Sequence, residues 1–529
     1  MQKKIIKVFN MIKNNLGIVL LCIAWIIVTV SNLRIYWMLV DDGDDVIFAR
    51  TLFEKIHSLN FMGFASQLFE TNGRFRPVYW LYQMIVWLIG GNSYQFQHFA
   101  HMLVICITIL FIYLAIKELT HSKIASFFAA LFYLLTPLNA ENIFRLGPQE
   151  PLLVMFISIL VYLIIRNQKI FLPCLMIILA VFTKETSLAL LPVLFFNFIY
   201  GKRNKFIKNK KQGFYLWVTI CISSAMLILI TFLRRGGYST NYYFNIPALT
   251  ENFVAYLKEL DKNFLYIFPL IPIVYLIRTG IALIKRQNIF GNKQNLFEFL
   301  FFIGFFGLFF IQLPWKYEIA RYLMPAVFFL ILFSFVEIYE DLKLLCKLKF
   351  INNHKQVFIF LLAFFGVYAF SIWGLEIISE EISYTSYYDA FKQMASYPKN
   401  TILLMNMQKV ENTVELVDET QIQLSEFWKR SDIKVEYLDL QNLPKVNYVI
   451  VDSSQFLRDY SQNNLNLLFK NKHTSIEKTS RTLVASTPVE IIKQTFKKLI
   501  SLLIYKKKFT PDGIYTYYYN YNNWYFYNE

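Results

Sequence analysis

The stretch GIVLLCIAWIIVTVSNLRIYWMLVDDGDD, residues 17–45, decides the fold. The apolar run from Gly17 to Val40 is long enough to cross a bilayer, which takes roughly 20 residues. It exceeds a signal-peptide core, and no small-residue cleavage pattern follows, so it reads as an uncleaved anchor. It hands over without a linker to Asp41, Asp42, Asp44 and Asp45. Those four carboxylates are therefore delivered to the far side of the membrane.

The rest of the chain repeats the theme. Of 529 residues, 56% are hydrophobic and 17% charged, with the charges gathered in short tracts between apolar runs. Long runs fall near 17–40, 98–116, 123–139, 150–166, 214–233, 263–284, 297–313, 321–340 and 356–376, and shorter ones at 75–90, 170–183 and 186–200. The predicted fold is an α-helical polytopic membrane protein with about eleven or twelve crossings.

A net charge of +17 would suggest nucleic acid in a soluble chain, but the lysines sit beside helix ends. Lys3, Lys4, Lys7 and Lys13 precede the first span; Lys202–Lys211, Lys285–Lys293 and Lys343–Lys355 form later tracts. By the positive-inside rule these are cytoplasmic, which puts the N-terminus inside and excludes nucleic acid as the reason for the charge. Counting back from Lys202 leaves one segment between Arg74 and Lys184 that fails to cross, and the run at 75–90 is the weakest. Cys22, Cys106, Cys174 and Cys221 lie in apolar runs and Cys346 in a cytoplasmic loop, so no disulfide framework is implied.

The predicted domains are a transmembrane unit, 1–376, with its first outer loop at 41–74; an extracytoplasmic α/β domain, 377–488; and an amphipathic helix with a tyrosine-rich tail, 489–529. In the α/β domain, Thr401–Asn406, Val435–Asp439 and Asn447–Asp452 read as strands and Val410–Lys429 as helix. The tail Ile514–Asn528 reads as a hairpin closing on Tyr521–Asn523.

Five polar tracts fall on the outer face. Four like charges at Asp41, Asp42, Asp44 and Asp45 repel one another, although aspartates also suit a first helical turn. Arg74 and Arg76 stand at the mouth of the next apolar segment, where arginines snorkel to headgroups or grip phosphate in a bidentate fork. Glu141 and Arg145 lie in Asn139–Glu150, a tract punctuated by Gly147 and Pro148. Lys184 and Glu185 sit between two apolar runs, a costly position that usually lines a pocket. Arg321 and Tyr322 open a late span. An acidic centre ringed by cations at the bilayer edge suits a lipid-phosphate substrate.

The order of these tracts carries a resemblance. The aspartate pair after the first span, Gly73-Arg-Phe-Arg-Pro-Val78, Pro137-Leu-Asn-Ala-Glu141 with Arg145, Thr183-Lys-Glu-Thr186 ahead of Leu190-Leu-Pro192, and Arg321-Tyr-Leu-Met-Pro325 together resemble the GT-C superfamily of integral membrane glycosyltransferases, of the protein-mannosyltransferase and aminoarabinose-transferase type. The resemblance covers roughly 15–340. It implies a GT-C-like fold and transfer of a hexose or pentose, with inversion, from a polyprenyl-phosphate donor. The acceptor would be an envelope glycan, lipid or protein on the outer face of a bacterial plasma membrane.

Carried over residue by residue, the general base is one of Asp41, Asp42, Asp44 or Asp45, with Asp41 and Asp42 favoured as closest to the membrane. Arg74, Arg76, Lys184 and Arg321 are candidates for holding the lipid phosphate, and Glu141, Arg145, Glu185 and Tyr322 for the sugar and acceptor pocket. The resemblance implies many metal-free relatives, while the clustered carboxylates suit Mg²⁺ or Mn²⁺, so metal use stays open. His98 and His101 share a helix face, but no third ligand accompanies them and packing is the favoured role. A transporter, flippase or polymerase of lipid-linked saccharides is the rival reading.

Overall fold

The apolar runs that the structure describes are helical, because lipid leaves the backbone no partner but itself. A computed structural model describes residues 16–35, 42–69, 74–203, 211–233, 245–263, 270–284, 293–314, 320–345, 391–406, 413–437, 448–452, 466–470 and 525–528. The membrane unit comprises α1 (Leu16–Asn32), α2 (Asp42–His57), α3 (Phe61–Gln67), α4 (Pro77–Gly90), α5 (Tyr94–Thr120), α6 (Lys123–Leu135), α7 (Ala140–Phe144), α8 (Glu150–Ile165), α9 (Phe171–Val181), α10 (Leu190–Arg203), α11 (Gln212–Leu233), α12 (Ile246–Asn263), α13 (Leu270–Ile284), α14 (Lys293–Phe310) and α15 (Met324–Leu345). Among the described residues, Tyr94–Thr120, Gln212–Phe232, Lys293–Phe310 and Arg321–Tyr339 are long and apolar enough to span alone, and shorter apolar helices accompany them. The chain is a multi-pass membrane protein. The expected run at 356–376 and helix at 489–508 lie outside the described residues.

Two opposite ends of the bundle can be identified from polar contacts. At one end, Arg166 after α8 and Lys293 at the start of α14 both reach Glu118 of α5, at 3.0 and 3.8 Å. Gln212, opening α11, donates to the Gln168 carbonyl there. At the other end, Asn32 of α1 donates to the Ile143 carbonyl, and His101, two turns into α5, donates to that of Asn142 at 2.7 Å.

This fixes the path of α4. Its first turn donates Val78 N–H to the Phe182 carbonyl, and its C-terminus passes through Gly91, at φ +55°, directly into α5. Both ends of α4 therefore lie on the Asn142 side. Its 14 residues reach only about 21 Å, short of the roughly 30 Å of hydrocarbon. Instead it runs beside α2, with Phe48 on Trp80 and Phe53 on Trp87. Leu81, Ile85, Leu88 and Ile89 form an exposed apolar stripe, as on helices that lie in a membrane interface. The segment at 75–90, the weakest of the expected crossings, thus has both ends on one side of the bundle.

The core centres on α15, whose residues Ala326–Phe333 are all almost fully buried against α14, α6, α5 and α8. Two glycines allow α14 to approach closely. A Cβ at Gly304 would stand 2.6 Å from the Phe329 ring, and one at Gly307 would stand 2.9 Å from the Ala189 carbonyl oxygen.

The soluble domain joins β1 (Ile402–Asn406), α16 (Thr413–Glu426), β2 (Lys434–Tyr437), β3 (Tyr448–Asp452), β4 (Asn466–Lys470) and β5 (Tyr525–Asn528) in a sheet of order β2-β1-β3-β5-β4. β2 and β3 flank β1 in parallel register, which demands a crossover, supplied between β1 and β2 by α16. β5 pairs antiparallel with β3 and β4, so the end of the tyrosine-rich tail enters this sheet. Residues 514–524, where the hairpin was expected to turn, lie outside the described residues. The amphipathic helix α12 lies between the apolar runs expected at 214–233 and 263–284, and Asn252 ties it to the Leu313 carbonyl at 2.7 Å.

The two glycine contexts give a paired expectation for thermal unfolding in detergent. Gly307→Ala should destabilise by about 1–3 kcal/mol, because a backbone oxygen cannot swing aside. Gly280→Ala, with nothing within 4 Å of the new methyl, should be neutral or stabilise by up to about 1 kcal/mol. Equal midpoints for the two variants would contradict the close approach.

Candidate active site

Charged residues from distant parts of the chain meet at the Asn142 end. Lys184, in the extended residue that breaks α9 from the 3-10 turn Glu185–Ala189, pairs with Glu150 at the start of α8. The two are 6% and 1% exposed, so neither charge is tolerable there without the other. The Lys184 ammonium also lies 4.6 Å from the centre of the Tyr322 ring, and the Arg321 guanidinium approaches the same ring at 5.5 Å. Arg321 continues to Glu141, at 3.1 Å, and Glu141 accepts from Arg145 at 2.6 Å one helical turn on. Asn142 donates to the Arg321 carbonyl at 2.8 Å, fastening α7 to the turn ahead of α15. Arg74 lies 3.8 Å from Glu185.

Tyr79 fastens the acidic cluster to the loop between α7 and α8. The Tyr79 hydroxyl donates to Asp45 Oδ2 at 2.5 Å, lies 2.9 Å from the Gly147 carbonyl, and accepts from Gln83 one turn along α4. Arg76 is buried at the N-terminus of α4, within electrostatic range of that hydroxyl. Asp45 is itself buried, although it belongs to the first turn of a helix that could have faced water. Asp42 and Asp44 are placed in the same turn, and Asp41 lies outside the described residues. Carboxylates there gain from the unpaired N–H groups and dipole of α2.

Every described side chain among the expected site residues joins this one end of the bundle: Asp45, Arg74, Arg76, Glu141, Arg145, Lys184, Glu185, Arg321 and Tyr322. The sequence missed three participants. Glu150 was legible as a carboxylate heading an apolar helix, but it was not assigned to Lys184. Tyr79 and Gln83, spaced one turn apart in an apolar run, gave no signal that separates them from core. His98 is fully buried, and His101 serves the Asn142 carbonyl. Among the described residues no three His, Cys, Asp or Glu side chains gather as a metal site.

Residues 77–230 match the dolichyl-phosphate-mannose-protein mannosyltransferase family. The likeness to that family covers this stretch, less than a third of the 529 residues. The matched stretch runs from the first turn of α4 through most of α11, and it contains Tyr79, Glu141, Arg145, Glu150, Lys184 and Glu185. Asp45, Arg74, Arg76 and Arg321 lie outside it in sequence. Among solved structures, the crystal structure of ArnT from Cupriavidus metallidurans bound to undecaprenyl phosphate is similar, with a TM-score of 0.49 and 12% identity over 86% of this chain and 95% of that chain. No curated protein matches the chain in sequence.

The Lys184–Glu150 pair separates a structural from a chemical role. Lys184→Met leaves a buried carboxylate uncompensated and should destabilise the protein by about 3–5 kcal/mol. Adding Glu150→Gln should return most of that loss in thermal unfolding while leaving sugar transfer impaired. Recovery of both stability and transfer in the double variant would reduce the pair to scaffolding.

Proposed function

We propose that the chain transfers a sugar, with inversion, from a polyprenyl-phosphate donor to a cell-envelope acceptor, using a first-loop aspartate as general base. The observation that supports this reading is that Asp45 of the first turn of α2, held by Tyr79, lies at the same end of the bundle as Arg74, Arg76, Lys184 and Arg321. The family matched by residues 77–230 is named for a polyprenyl-phosphate sugar donor, which supports the same chemistry.

The roles follow from charge development. The acceptor oxygen forms a bond to the anomeric carbon as its proton passes to an aspartate carboxylate. The bond between that carbon and the phosphate oxygen breaks with its electron pair, leaving polyprenyl phosphate. The dipole at a helix N-terminus favours the ionised carboxylate, which is the form that accepts the proton. The leaving oxygen gains negative charge, and preorganised cations in a dry site stabilise it more than water would. Arg74, Arg76 and Arg321 suit the phosphate as planar forks and Lys184 as a point charge. Glu141, Arg145, Glu185 and Tyr322 shape the sugar and acceptor pocket. Tyr79 orients Asp45, holding the acidic turn against the loop that carries Gly147.

The basic tracts beyond the opposite end favour a cytoplasmic placement for that end. The catalytic end and the α/β domain then face outward from a bacterial plasma membrane, where a glycan, lipid or protein acceptor would be met. A metal ion is not needed for these steps.

The test replaces Asp41, Asp42, Asp44 and Asp45 singly with Asn in membranes supplied with labelled polyprenyl-phosphate sugar. Loss of the base should lower kcat by about 10²–10⁴-fold, with donor KM little changed. Four variants that all transfer as well as the parent would overturn the assignment.

A further inference from the structure

The helix that carries the acidic turn is held from two sides. On one side, Phe48 and Leu52 of α2 pack against Tyr79 and Trp80 of α4. On the other, α2 lies against α16 of the soluble domain, where Arg50 Nη1 donates to Glu426 Oε2 at 2.8 Å. This ion pair joins residues 376 apart in sequence and links the α/β domain directly to the first outer loop. Glu54, one turn after Arg50, adds a second carboxylate 3.7 Å from its Nε.

Position along α2 gives the pair its significance. Arg50 follows Asp45 by five residues, about 7.5 Å along the axis, and a helix that short moves as a rigid rod. Displacing α2 at Arg50 therefore displaces the acidic turn as well. On its α4 side the rod is secured by apolar contacts, which fix depth more than rotation, and by the Tyr79 hydrogen bond at Asp45. The Arg50–Glu426 bond supplies a directional constraint on the opposite side. Within the domain, Glu426 is itself well anchored. It closes α16, whose Leu424 is fully buried, and Arg430, four residues on, binds the Ala395 and Tyr397 carbonyls and Asp432.

We propose that the soluble α/β domain is a positioning element for catalysis, and that Arg50 and Glu426 are the residues through which it sets the placement of the acidic turn of α2. Neither residue touches the reacting atoms; both act through α2. The inference rests on the reading of that turn as the source of the general base.

The experiment uses full-length protein in detergent, with kcat and KM for labelled polyprenyl-phosphate sugar measured per folded molecule for Arg50→Glu, Glu426→Arg and the charge-swapped double variant. Amide hydrogen exchange across residues 42–57 is followed in parallel. Each single reversal should lower kcat by roughly 10- to 100-fold, the scale of a misplaced catalytic group, with a smaller change in donor KM and faster exchange in α2. The swap should restore both readouts. Lys434→Glu, which breaks the exposed pair with Glu436 on β2, should match the parent. Single reversals with parental kcat, or a swap that restores slow exchange without restoring kcat, would overturn the proposal. A parent protein that transfers no sugar would instead overturn the catalytic reading beneath it, while the exchange data would still report whether the domain restrains α2.

Discussion

The arrangement depends on the cost of holding charge where water is scarce. An isolated ammonium or carboxylate at membrane depth is expensive, and a buried pair is tolerated only when each charge meets its partner closely. Lys184 with Glu150, Arg321 and Arg145 with Glu141, and Arg74 with Glu185 obey that constraint. These pairs span loops that are far apart in sequence, so satisfying the charges also closes the bundle at one end. The core around α15 then holds the closed end in place. Gly304 and Gly307 contribute by letting α14 approach α15 and the turn that follows Lys184.

The same constraint shapes the chemistry. Cations already matched to carboxylates leave a site close to electrical balance, which avoids the penalty of an empty positive pocket. A lipid phosphate entering such a site shares cations with carboxylates instead of neutralising bare ones, and its charge grows as the sugar departs. Binding energy then falls preferentially on the transition state. Tyr79 ties Asp45 to the Gly147 carbonyl, in the loop between the helix that carries Glu141 and Arg145 and the one that opens on Glu150. Outside the membrane the Arg50 hydrogen bond, more than any other contact, holds Glu426 below the usual carboxylate range. A carboxylate depressed in this way contributes to docking above the ordinary carboxylate pKa and loses that contribution as pH falls through its own. The restraint on α2 is therefore fully present at neutral pH.

Much of this was legible in the sequence because charges inside apolar runs are rare enough to stand out. Arg74, Arg76, Glu141, Arg145, Lys184, Glu185 and Arg321 were all visible as interruptions. The three strands nearest α16 were legible within a residue or two from their alternation. What escaped was pairing across distance. The partner of Lys184 lies 34 residues away, and a carboxylate ahead of Pro151 reads equally well as a helix start. Tyr79 and Gln83 look like core because their polarity matters only once α2 is laid against α4. The strand Tyr525–Asn528 could not be assigned to the sheet because its neighbours are set by topology and not by local pattern. The short helix α4, the weakest of the expected crossings, has both ends on the Asn142 side of the bundle.

The central claim is that this surface breaks the bond between a sugar and a polyprenyl phosphate. The most direct measurement incubates the purified protein in detergent with a doubly labelled polyprenyl-phosphate sugar and envelope acceptor, and follows both labels. The account requires polyprenyl monophosphate to appear in step with glycosylated acceptor, one for one and with inverted anomeric configuration. Intact lipid-linked sugar after prolonged incubation, together with its movement across the bilayer by the same protein in vesicles, would contradict it.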